Sequence, residues 1–551
     1  MRSKFIILLG ALITAPLMAV LYVGHQVWNV PYPPKDLFDW VTRILPGDMI
    51  TLGIESMVSV IDKLNLGATD STAKSIERLM ATVQFFAGGL LVAVVVALVL
   101  YGAQKQRRSV PVFALSFGLA VLMALPLIII SWYMNYRSAE DVTNVASETS
   151  GIVWLVVIFG LWALALSRAF ARWLEVDTPP VENANIETTM LNRRQFLIQV
   201  GGITATITVV GSGLGYLWNI AGHEKLPPRK QDVDALLNSA RESDREQYDP
   251  DLEPAPGTRP EYTPLDDHYR IDINLSPPEV DESKWRLKIT GMVDQELSLT
   301  LDELRTNYEP INQFVTLQCI SNPLGGDLIS TTLWTGARLT DVLADAGVQT
   351  GATHLKITAA DGFYETVDLE KVNSDDRVML CYAWDGREKL LQKHGFPLRI
   401  YIPDLYGMKQ PKWITEIEVT DHDEDGYWVE RGWDKVAQMR TTSIIDVAAT
   451  DHVTEQNGVK VVPVGGIAIA GARQISKVEV KVDDGDWNEA QLRTPLSETT
   501  WVVWRYDWPF EEGDHKLAVR CYEGDGTLQM TEARGTKPSG AAGIFTTEVS
   551  G

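Results

Sequence analysis

The most informative stretch of this sequence contains a cysteine between an apolar run and a glycine-rich loop. Cys319 follows the strand-like run VTLQ and precedes Ser321, Asn322 and the pair Gly325-Gly326. A thiolate at the end of a strand, beside a loop of small residues, can bind a soft metal ion. A lone cysteine in this setting is more often a small buried apolar residue, so this stretch alone leaves both interpretations open.

A second stretch, HGFPLRIYIPDLYGMKQPKW, concentrates basic side chains around one predicted strand. His394 and Arg399 belong to the strand and its approach, and Lys409 and Lys412 lie in the loop that follows. Arginine and lysine in such a loop suit a phosphate group, which a guanidinium can bind through two parallel hydrogen bonds. The alternative is a solvated basic loop on an acidic domain.

The other cysteines restrict the redox chemistry that is available. Cys381 and Cys521 lie in VMLCYAW and LAVRCYEG, which predict strand interiors, and three cysteines are too few for a disulfide scaffold. The sequence has neither a CxxCH haem-attachment motif nor iron–sulfur spacing. A redox centre in this chain would therefore need at most one thiolate ligand.

Together, the cysteine stretch and the basic stretch resemble the sulfite oxidase family. Cys319, its loop and Trp334-Thr335-Gly336 match the family's molybdenum-ligand region, and the pattern from His394 to Trp413 matches its pterin-binding strand and loop. The resemblance extends from about Thr263 to the C-terminus. Its further matching positions are Thr263-Pro264, His268-Tyr269-Arg270, Gly426-Tyr427-Trp428, Gly465, Gly466 and Trp487.

The resemblance implies a molybdenum–molybdopterin cofactor, with Cys319 as the protein ligand of the metal. It also implies oxygen-atom transfer coupled to two-electron transfer, on a small oxyanion such as sulfite or on an S- or N-oxide. The implied cofactor-binding residues are Asp266, Tyr269, Arg270, His394, Arg399, Lys409, Gln410 and Lys412. The implied catalytic residues beside Cys319 are Asn322, Trp433 and Arg505.

Two departures from the family pattern concern the substrate. Pro323 and Leu324 follow Asn322, where animal and plant sulfite oxidases carry arginines that help to bind the anion. Trp433 stands in place of a tyrosine, and an indole cannot offer a phenol for proton transfer. Arg505 is a candidate anion-binding residue and Arg431 is another, although either could be an ordinary surface residue. Alternatives to sulfite oxidation are a methionine-sulfoxide-type reductase of the same fold and a non-catalytic cell-surface binding module.

The first 220 residues contain five apolar segments long enough to span a bilayer. Basic residues flank the first segment and fill the loops after the second and the fourth, so the N-terminus is predicted in the cytoplasm and the chain after the fifth segment outside. The sequence NRRQFL at 192–197 resembles a twin-arginine export signal, although two arginines could also be an ordinary topology anchor. The segments are Phe5–Val23, Phe85–Tyr101, Val110–Trp132, Ile152–Ala169 and Phe196–Ile220.

The electrons of such an enzyme are expected to pass to a separate protein. His25 and His223 lie near the outer ends of predicted spans and could hold a haem b, but interfacial polar residues are the simpler interpretation. No haem domain is recognisable in the sequence. We therefore expect a cytochrome c or a quinone-linked protein as the partner.

The whole chain is predicted to fold as an α+β protein with N-terminal transmembrane helices. The expected parts are a membrane domain at 1–220, whose last helix covers 193–220, a charged linker at 221–262, a molybdopterin-binding domain at 263–435 and an immunoglobulin-like β-sandwich at 436–551. A short helix is expected at Asp232–Glu246 and an extended tether elsewhere in the linker. The net charge of −23 argues against a nucleic-acid partner, and the sandwich makes a homodimer possible.

Overall fold

The computed structural model describes residues 2–550 except 106–110, 138–141, 178–185, 222–225, 243–246 and 457. The chain divides into two compact units, each assembled from separate pieces of sequence. Unit 1 contains Met1–Leu45, Ala73–Lys225 and Ile273–Glu279, and unit 2 contains Pro46–Thr72, Leu226–Asp272 and Val280–Gly551. The segment 46–72, predicted within the membrane domain, thus groups with the C-terminal part of the chain.

The N-terminal part of the chain is helical. Its helices are Arg2–Trp28 (α1), Pro33–Ile44 (α2), Gly47–Leu64 (α3), Thr69–Lys105 (α4), Val112–Tyr136 (α5), Glu148–Asp177 (α6) and Ile186–Ala221 (α7). Helix α3 and the first turn of α4 belong to unit 2, and the others to unit 1. Apolar side chains of α1, α4, α5 and α6 form the core of unit 1, including Leu9, Phe85, Ala124, Leu155 and Phe170.

Among the described residues, four single helices are long and apolar enough to cross a membrane, and they overlap the first four predicted spans. They are Ile6–Trp28, Thr69–Gly102, Val112–Tyr136 and Glu148–Arg172. The bent pair Pro33–Ile44 and Gly47–Ile61 would add a fifth if it formed one span. The fifth predicted span lies within α7, whose described apolar part, Val200–Gly215, is shorter. Gly211 and Gly215 of α7 lie against Ala19 and Tyr22 of α1, as expected for small residues that let two helices approach closely. The side chains of Arg193 and Arg194, and residue His223, lie outside the described parts.

The predicted tether between the two halves is bound along unit 2 instead of extended. Its helix, Val233–Arg241 (α8), lies within the range predicted for a helix and begins at Asp232, whose carboxylate accepts a hydrogen bond from the Ala235 backbone. Val233 and Leu237 of α8 pack in an apolar cluster with Phe314. Residues 226–262 are rich in charge, but several of their few apolar side chains are buried in unit 2.

Residues 280–435 form two sheets with helices between the strands. One sheet has the order β2-β1-β9-β5-β6, with β1 and β9 parallel, and the other has the antiparallel order β3-β4-β7-β8. The strands are Leu287–Gly291 (β1), Leu297–Leu299 (β2), Pro310–Gln318 (β3), Ile329–Arg338 (β4), His354–Ala359 (β5), Tyr364–Asp368 (β6), Met379–Trp384 (β7), Arg399–Tyr401 (β8) and Ile414–Thr420 (β9). The helices are Leu301–Asn307 (α9), Leu339–Ala346 (α10) and Leu369–Asn373 (α11).

The C-terminal part is built of two further antiparallel sheets, as the alternating sequence predicts. Their orders are β10-β12-β16-β15, with β11 beside β12, and β14-β13-β17-β18. Val464, Trp504, Val480 and Val519 from the two sheets share one apolar core. The strands are Thr442–Ala448 (β10), Thr454–Gln456 (β11), Val459–Ile469 (β12), Ile475–Val482 (β13), Asn488–Glu489 (β14), Gln491–Leu492 (β15), Val502–Pro509 (β16), Asp514–Glu523 (β17) and Phe545–Ser550 (β18). That this part is immunoglobulin-like stays a prediction.

Candidate active site

Cys319 is the first residue after β3 and enters a closed loop. Its backbone N–H donates to the Leu328 carbonyl at 3.0 Å, and the Asn322 N–H donates back to the Cys319 carbonyl at 3.0 Å. The Asn322 side chain is buried and accepts a hydrogen bond from the Leu328 N–H at 3.0 Å, so it braces the loop. Gly326 must lack a side chain, because a Cβ there would lie 2.4 Å from Asn322 Oδ1.

The surroundings of the Cys319 thiol both raise and lower its pKa. Burial raises the pKa of the thiol, while hydrogen bonding from Ser321 and the charge of Lys412 lower it. The Ser321 hydroxyl lies 3.0 Å from Cys319 Sγ. Burial, together with the charge of Cys319, also raises the pKa of Tyr269, which places this phenol beside the thiol. A soft cation would displace the proton of Cys319 and replace these weak stabilising contacts.

Four buried aromatic rings gather next to the basic residues. Trp334 of β4 and Trp384 of β7 lie opposite each other in the sheet, with ring centroids 5.4 Å apart. His394 lies 4.6 Å from the Trp384 ring, and His268 lies 5.4 Å from both. Burial lowers the pKa of His268 to about 3 and also lowers that of His394, so both imidazoles are neutral at physiological pH.

Two buried cations complete the cluster. The Arg399 guanidinium lies over the Trp334 ring at 4.7 Å and donates to the His394 carbonyl at 3.3 Å. Lys412 pairs with Arg399 through a backbone bridge, and its Nζ donates to the Ile271 carbonyl at 2.9 Å. The chain turns tightly at Gly395, which has a φ of +112° and faces both cationic residues. Burial lowers the pKa of Arg399, because a positive charge is energetically unfavourable in a site without water.

Buried donors of this cluster have no hydrogen-bond partner in the described structure. They are His268 Nε2, Arg270 Nη2, Trp334 Nε1 and Trp384 Nε1. Unpaired buried N–H groups are unfavourable and uncommon, so a group rich in acceptor atoms fits between them. Together with two cations and one thiol, these donors suit a cofactor that carries a phosphate, heteroatom acceptors and a soft metal. The residues present therefore fit a metal–pterin group.

Several sequence-predicted residues are brought into this cluster and others are not. Tyr269 and Lys412 lie within electrostatic range of Cys319, and Arg399 contacts His394 and Trp334. Arg270 pairs with Asp272 at 2.7 Å, and the same carboxylate lies 3.5 Å from Lys412 Nζ. Trp433 packs in an apolar cluster with Ile320 and Met408, next to the cysteine loop.

The other predicted cofactor-binding or catalytic residues have their own partners. Lys409 forms a buried ion pair with Glu365 at 2.7 Å, and Gln410 donates to the Leu405 carbonyl at 2.7 Å. Asp266 is exposed in a short turn of 3-10 helix. Arg505 bonds to Asp507 within β16 at 2.9 Å. Their side chains stabilise the fold around the cluster or face solvent, and their predicted roles stay predictions.

No motif in the sequence marks Trp384 as a site residue. It ends the apolar run VMLCYAW, which is typical of any buried strand. Only the pairing of β7 with β4 brings its indole beside Trp334 and His394. His268 stood within a matching motif but carried no predicted role, and its buried ring now connects the tryptophan pair to His394.

The affinity of this cluster for a doubly charged anion is expected to fall with rising pH. Burial lowers the pKa of Lys412 to about 8, although Asp272 opposes the shift. Lys412 is therefore cationic below pH 8 and neutral above it. We expect sulfate, whose charge is constant in this range, to bind the cofactor-free protein roughly 10-fold more weakly at pH 9 than at pH 7, by titration calorimetry. Lys412→Gln should bind weakly at both pH values; a pH dependence equal to the wild type's in that variant would contradict the assignment.

Comparison with known proteins gives a consistent result. Residues 274–428 match the family described as oxidoreductase molybdopterin binding domain, a range that includes Cys319, His394, Arg399 and Lys412. Mitochondrial sulfite oxidase of Macaca fascicularis is 28% identical over 292 residues, covering 45% of this chain and 53% of that protein. Nitrate reductase [NAD(P)H] of Hordeum vulgare is 27% identical over 321 residues, covering 47% of this chain and 36% of that protein.

A solved structure was also found to be similar. The sulfane dehydrogenase SoxCD from Paracoccus pantotrophus matches with a TM-score of 0.47 at 21% identity, covering 55% of this chain and 87% of that chain. The chain spans about half the length of the first curated relative that it matches.

Proposed function

We propose that this chain, which belongs to the sulfite oxidase family of molybdopterin-dependent oxidoreductases, is a membrane-anchored enzyme whose catalytic unit lies outside the cytoplasm. Its cofactor is molybdenum bound to molybdopterin. When bound, this cofactor supplies two-electron redox chemistry and exchanges an oxygen atom with the substrate. The proposed substrate is a small oxyanion such as sulfite, or an S- or N-oxide.

The observation that carries this proposal is the cluster of unpartnered donors and buried cations beside Cys319. Arg399 and Lys412 would hold the phosphate of the pterin, since both are cationic and buried near neutral pH. Trp334, Trp384 and His268 would donate hydrogen bonds to its heteroatoms through nitrogens that have no protein partner. Cys319 Sγ would coordinate the metal, and Ser321 would hold that sulfur in place. A non-catalytic module would have no use for such costly groups.

The reaction can be written so that atoms and electrons balance. With sulfite, SO₃²⁻ and H₂O give SO₄²⁻, two protons and two electrons; with a sulfoxide, R₂SO, two protons and two electrons give R₂S and H₂O. Tyr269 lies beside Cys319 with a raised pKa, so its phenol stays protonated and can donate a hydrogen bond. The two electrons pass to or from a separate carrier, for which a cytochrome c or a quinone-linked protein is proposed.

The composition of unit 2 supports the proposed membrane topology. Residues 46–72 and residues from 226 onward belong to the same unit, so both must lie on the same side of a membrane. The chain between them must then cross the bilayer an even number of times. Helices α4, α5 and α6 contain candidate spans, which supports α7 as the fourth crossing. Positive-inside reasoning puts this shared side outside the cytoplasm.

One expression experiment tests cofactor and location together. The full chain, made in a bacterium with its own molybdopterin and twin-arginine pathways, should purify in detergent with about one molybdenum and one pterin per chain, and protease should cleave unit 2 in spheroplasts. Arg193→Lys together with Arg194→Lys is the matched control and should leave the part of unit 2 from residue 226 onward protected inside. Assays with sulfite, sulfoxides and nitrate then use cytochrome c and a quinone analogue. A well-folded protein without molybdenum would overturn the enzymatic proposal.

A further inference from the structure

Helix α3 carries a stripe of exposed apolar side chains. Met49, Leu52, Val60 and Leu64 are 58%, 66%, 47% and 65% exposed, although each is a large apolar residue. Successive residues of an α-helix are about 100° apart around its axis. These four side chains and the exposed Ser56 therefore lie within about 120° of one another on one side of the helix. We call these five residues the α3 stripe.

The opposite side of α3 is buried, and the helix is bonded to the C-terminal part of unit 2. Thr51 and Ile61 lie on that side and are 4% and 1% exposed. Lys537 Nζ donates to Asp48 Oδ1 at 3.0 Å and to Thr51 Oγ1 at 3.3 Å. Because these contacts fix the rotation of α3 about its own axis, the α3 stripe is the side of the helix that they leave free.

Exposed large apolar side chains are concentrated around this helix. Within the described part of unit 2, residues 46–72 have five of them, Leu66 included, and the much longer part from residue 226 onward also has five. Single exposed apolar residues are normal on a soluble surface, whereas a contiguous stripe indicates a surface that something covers. The five in the longer part are scattered along the chain, at Leu226, Val436, Val453, Val459 and Leu528.

The chain on both sides of α3 points to lipid as the cover. The candidate membrane span Thr69–Gly102 begins five residues after Leu64, and five residues extend at most about 18 Å, so the end of α3 lies close to the start of that span. Leu66, which is 49% exposed, continues the apolar surface between them. Helices α2 and α3 are together apolar enough for a span, but they are bent by 119° and α3 is bonded to unit 2. An amphipathic helix in this position lies in the plane of the interface, with its apolar side among the acyl chains.

The charges of α3 favour a neutral lipid surface. The helix has three acidic residues, Asp48, Glu55 and Asp62, and one basic residue, Lys63. Interfacial helices that bind anionic headgroups carry several lysines or arginines on their polar side, and α3 does not. Burial of the apolar stripe is therefore the attraction that this helix offers, and the acyl chains of a neutral lipid such as phosphatidylcholine fit it.

We propose that the α3 stripe is immersed in the outer leaflet of the membrane and holds unit 2 on the lipid surface. This inference rests on the proposed function, from which it takes the side of the membrane. Unit 2 is then attached to the bilayer by a helix of its own as well as by the transmembrane helices. The bonds from Lys537 to Asp48 and Thr51 transmit this attachment to the C-terminal part of the unit.

Fluorescent labels on single added cysteines test the stripe in the full chain. Met49→Cys and Val60→Cys place the label in the stripe, and Glu55→Cys places it on the acidic side of the same helix. Val459→Cys places it at an exposed apolar position of the C-terminal sheets. Each variant is labelled with a thiol-reactive nitrobenzoxadiazole dye and reconstituted in phosphatidylcholine nanodiscs. The wild type, whose three cysteines are buried, gives the background.

Lipids with a nitroxide on the acyl chain should quench the labels at positions 49 and 60 at least about 3-fold more than those at 55 and 459, because the apolar side of such a helix lies about 5–10 Å into the lipid boundary. Iodide in the water should quench in the reverse order. Equal lipid quenching at all four positions would overturn the proposal. Labels at 49 and 60 that neither quencher reaches would mean that protein covers the stripe, which also overturns it. Nanodiscs expose both leaflets and the measurement needs no molybdenum, so failure of the proposed enzyme or of its topology would leave this result intact.

Discussion

Cys319→Ser is expected to abolish molybdenum-dependent turnover while the protein still folds. A serine hydroxyl is close in size to a thiol, and the loop is closed by the backbone and by Asn322, so the local structure should persist. A hydroxyl is a far harder and more basic ligand than a thiolate, so the contact with a soft metal is lost. Loss of residues that merely support a metal ligand costs about 10- to 100-fold, and loss of the ligand itself should exceed about 100-fold in kcat.

The matched control for this variant is Cys521→Ser. Cys521 is also fully buried, and its Sγ donates to Gln529 Oε1 at 3.1 Å, a bond that a hydroxyl can keep. That variant should retain both molybdenum and turnover. Steady-state kinetics with metal analysis on each purified protein makes the comparison. Near wild-type kcat in Cys319→Ser would remove the ligand assignment.

Arg399→Met is expected to change the cofactor-free and the loaded protein in opposite directions. Arg399 is 6% exposed and forms no ion pair within the described structure, so its charge is buried at a cost. A methionine of similar length removes that cost, and the free energy of unfolding of the cofactor-free protein should rise by about 1–3 kcal/mol. In the loaded protein the same change removes a buried partner of the phosphate and should weaken cofactor retention by at least about 30-fold.

Urea unfolding followed by tryptophan fluorescence measures the first effect, and pterin release after dilution measures the second. Arg473→Met is the control, since Arg473 is paired with Asp404 and Glu523. Breaking that network should destabilise the cofactor-free protein, because it leaves carboxylates without their partner. If Arg399→Met lowers stability in the same way, Arg399 is a structural residue and its phosphate role is wrong.

The residues predicted best were those whose chemistry is local in sequence. The strand before Cys319 and its glycine loop both depend on neighbouring residues, and the structure has them where the pattern puts them. The proximity of Arg399 and Lys412 was predicted for the same reason: one strand and the loop after it carry both, and a backbone bridge joins them. Their role in binding the cofactor stays a prediction.

Residues whose partners lie far away in sequence were predicted less well. Lys409 is one of several basic residues in its loop, but it forms an ion pair with Glu365, which lies 44 positions earlier in β6. Nothing near Lys409 reveals that a buried carboxylate will face it. The expectation of an extended tether at 226–262 was wrong for the same reason. The apolar residues of this segment are few, and their contacts with Phe314 and with the C-terminal sheets depend on the tertiary fold. The position of residues 46–72 within unit 2 likewise has no local signal.

Because the two units alternate along the sequence, the proposed topology implies an order in which the parts of the enzyme are assembled. Residues 46–68 belong to the second unit but precede α4, α5, α6 and α7, so on the proposed topology they reach the outer face by membrane insertion. The remainder of that unit would cross later through the twin-arginine route, folded and already carrying its cofactor. Molybdopterin would therefore bind in the cytoplasm, before residues 46–68 pack on the rest of the unit. On this topology, cofactor binding and completion of the unit would take place on different sides of the membrane.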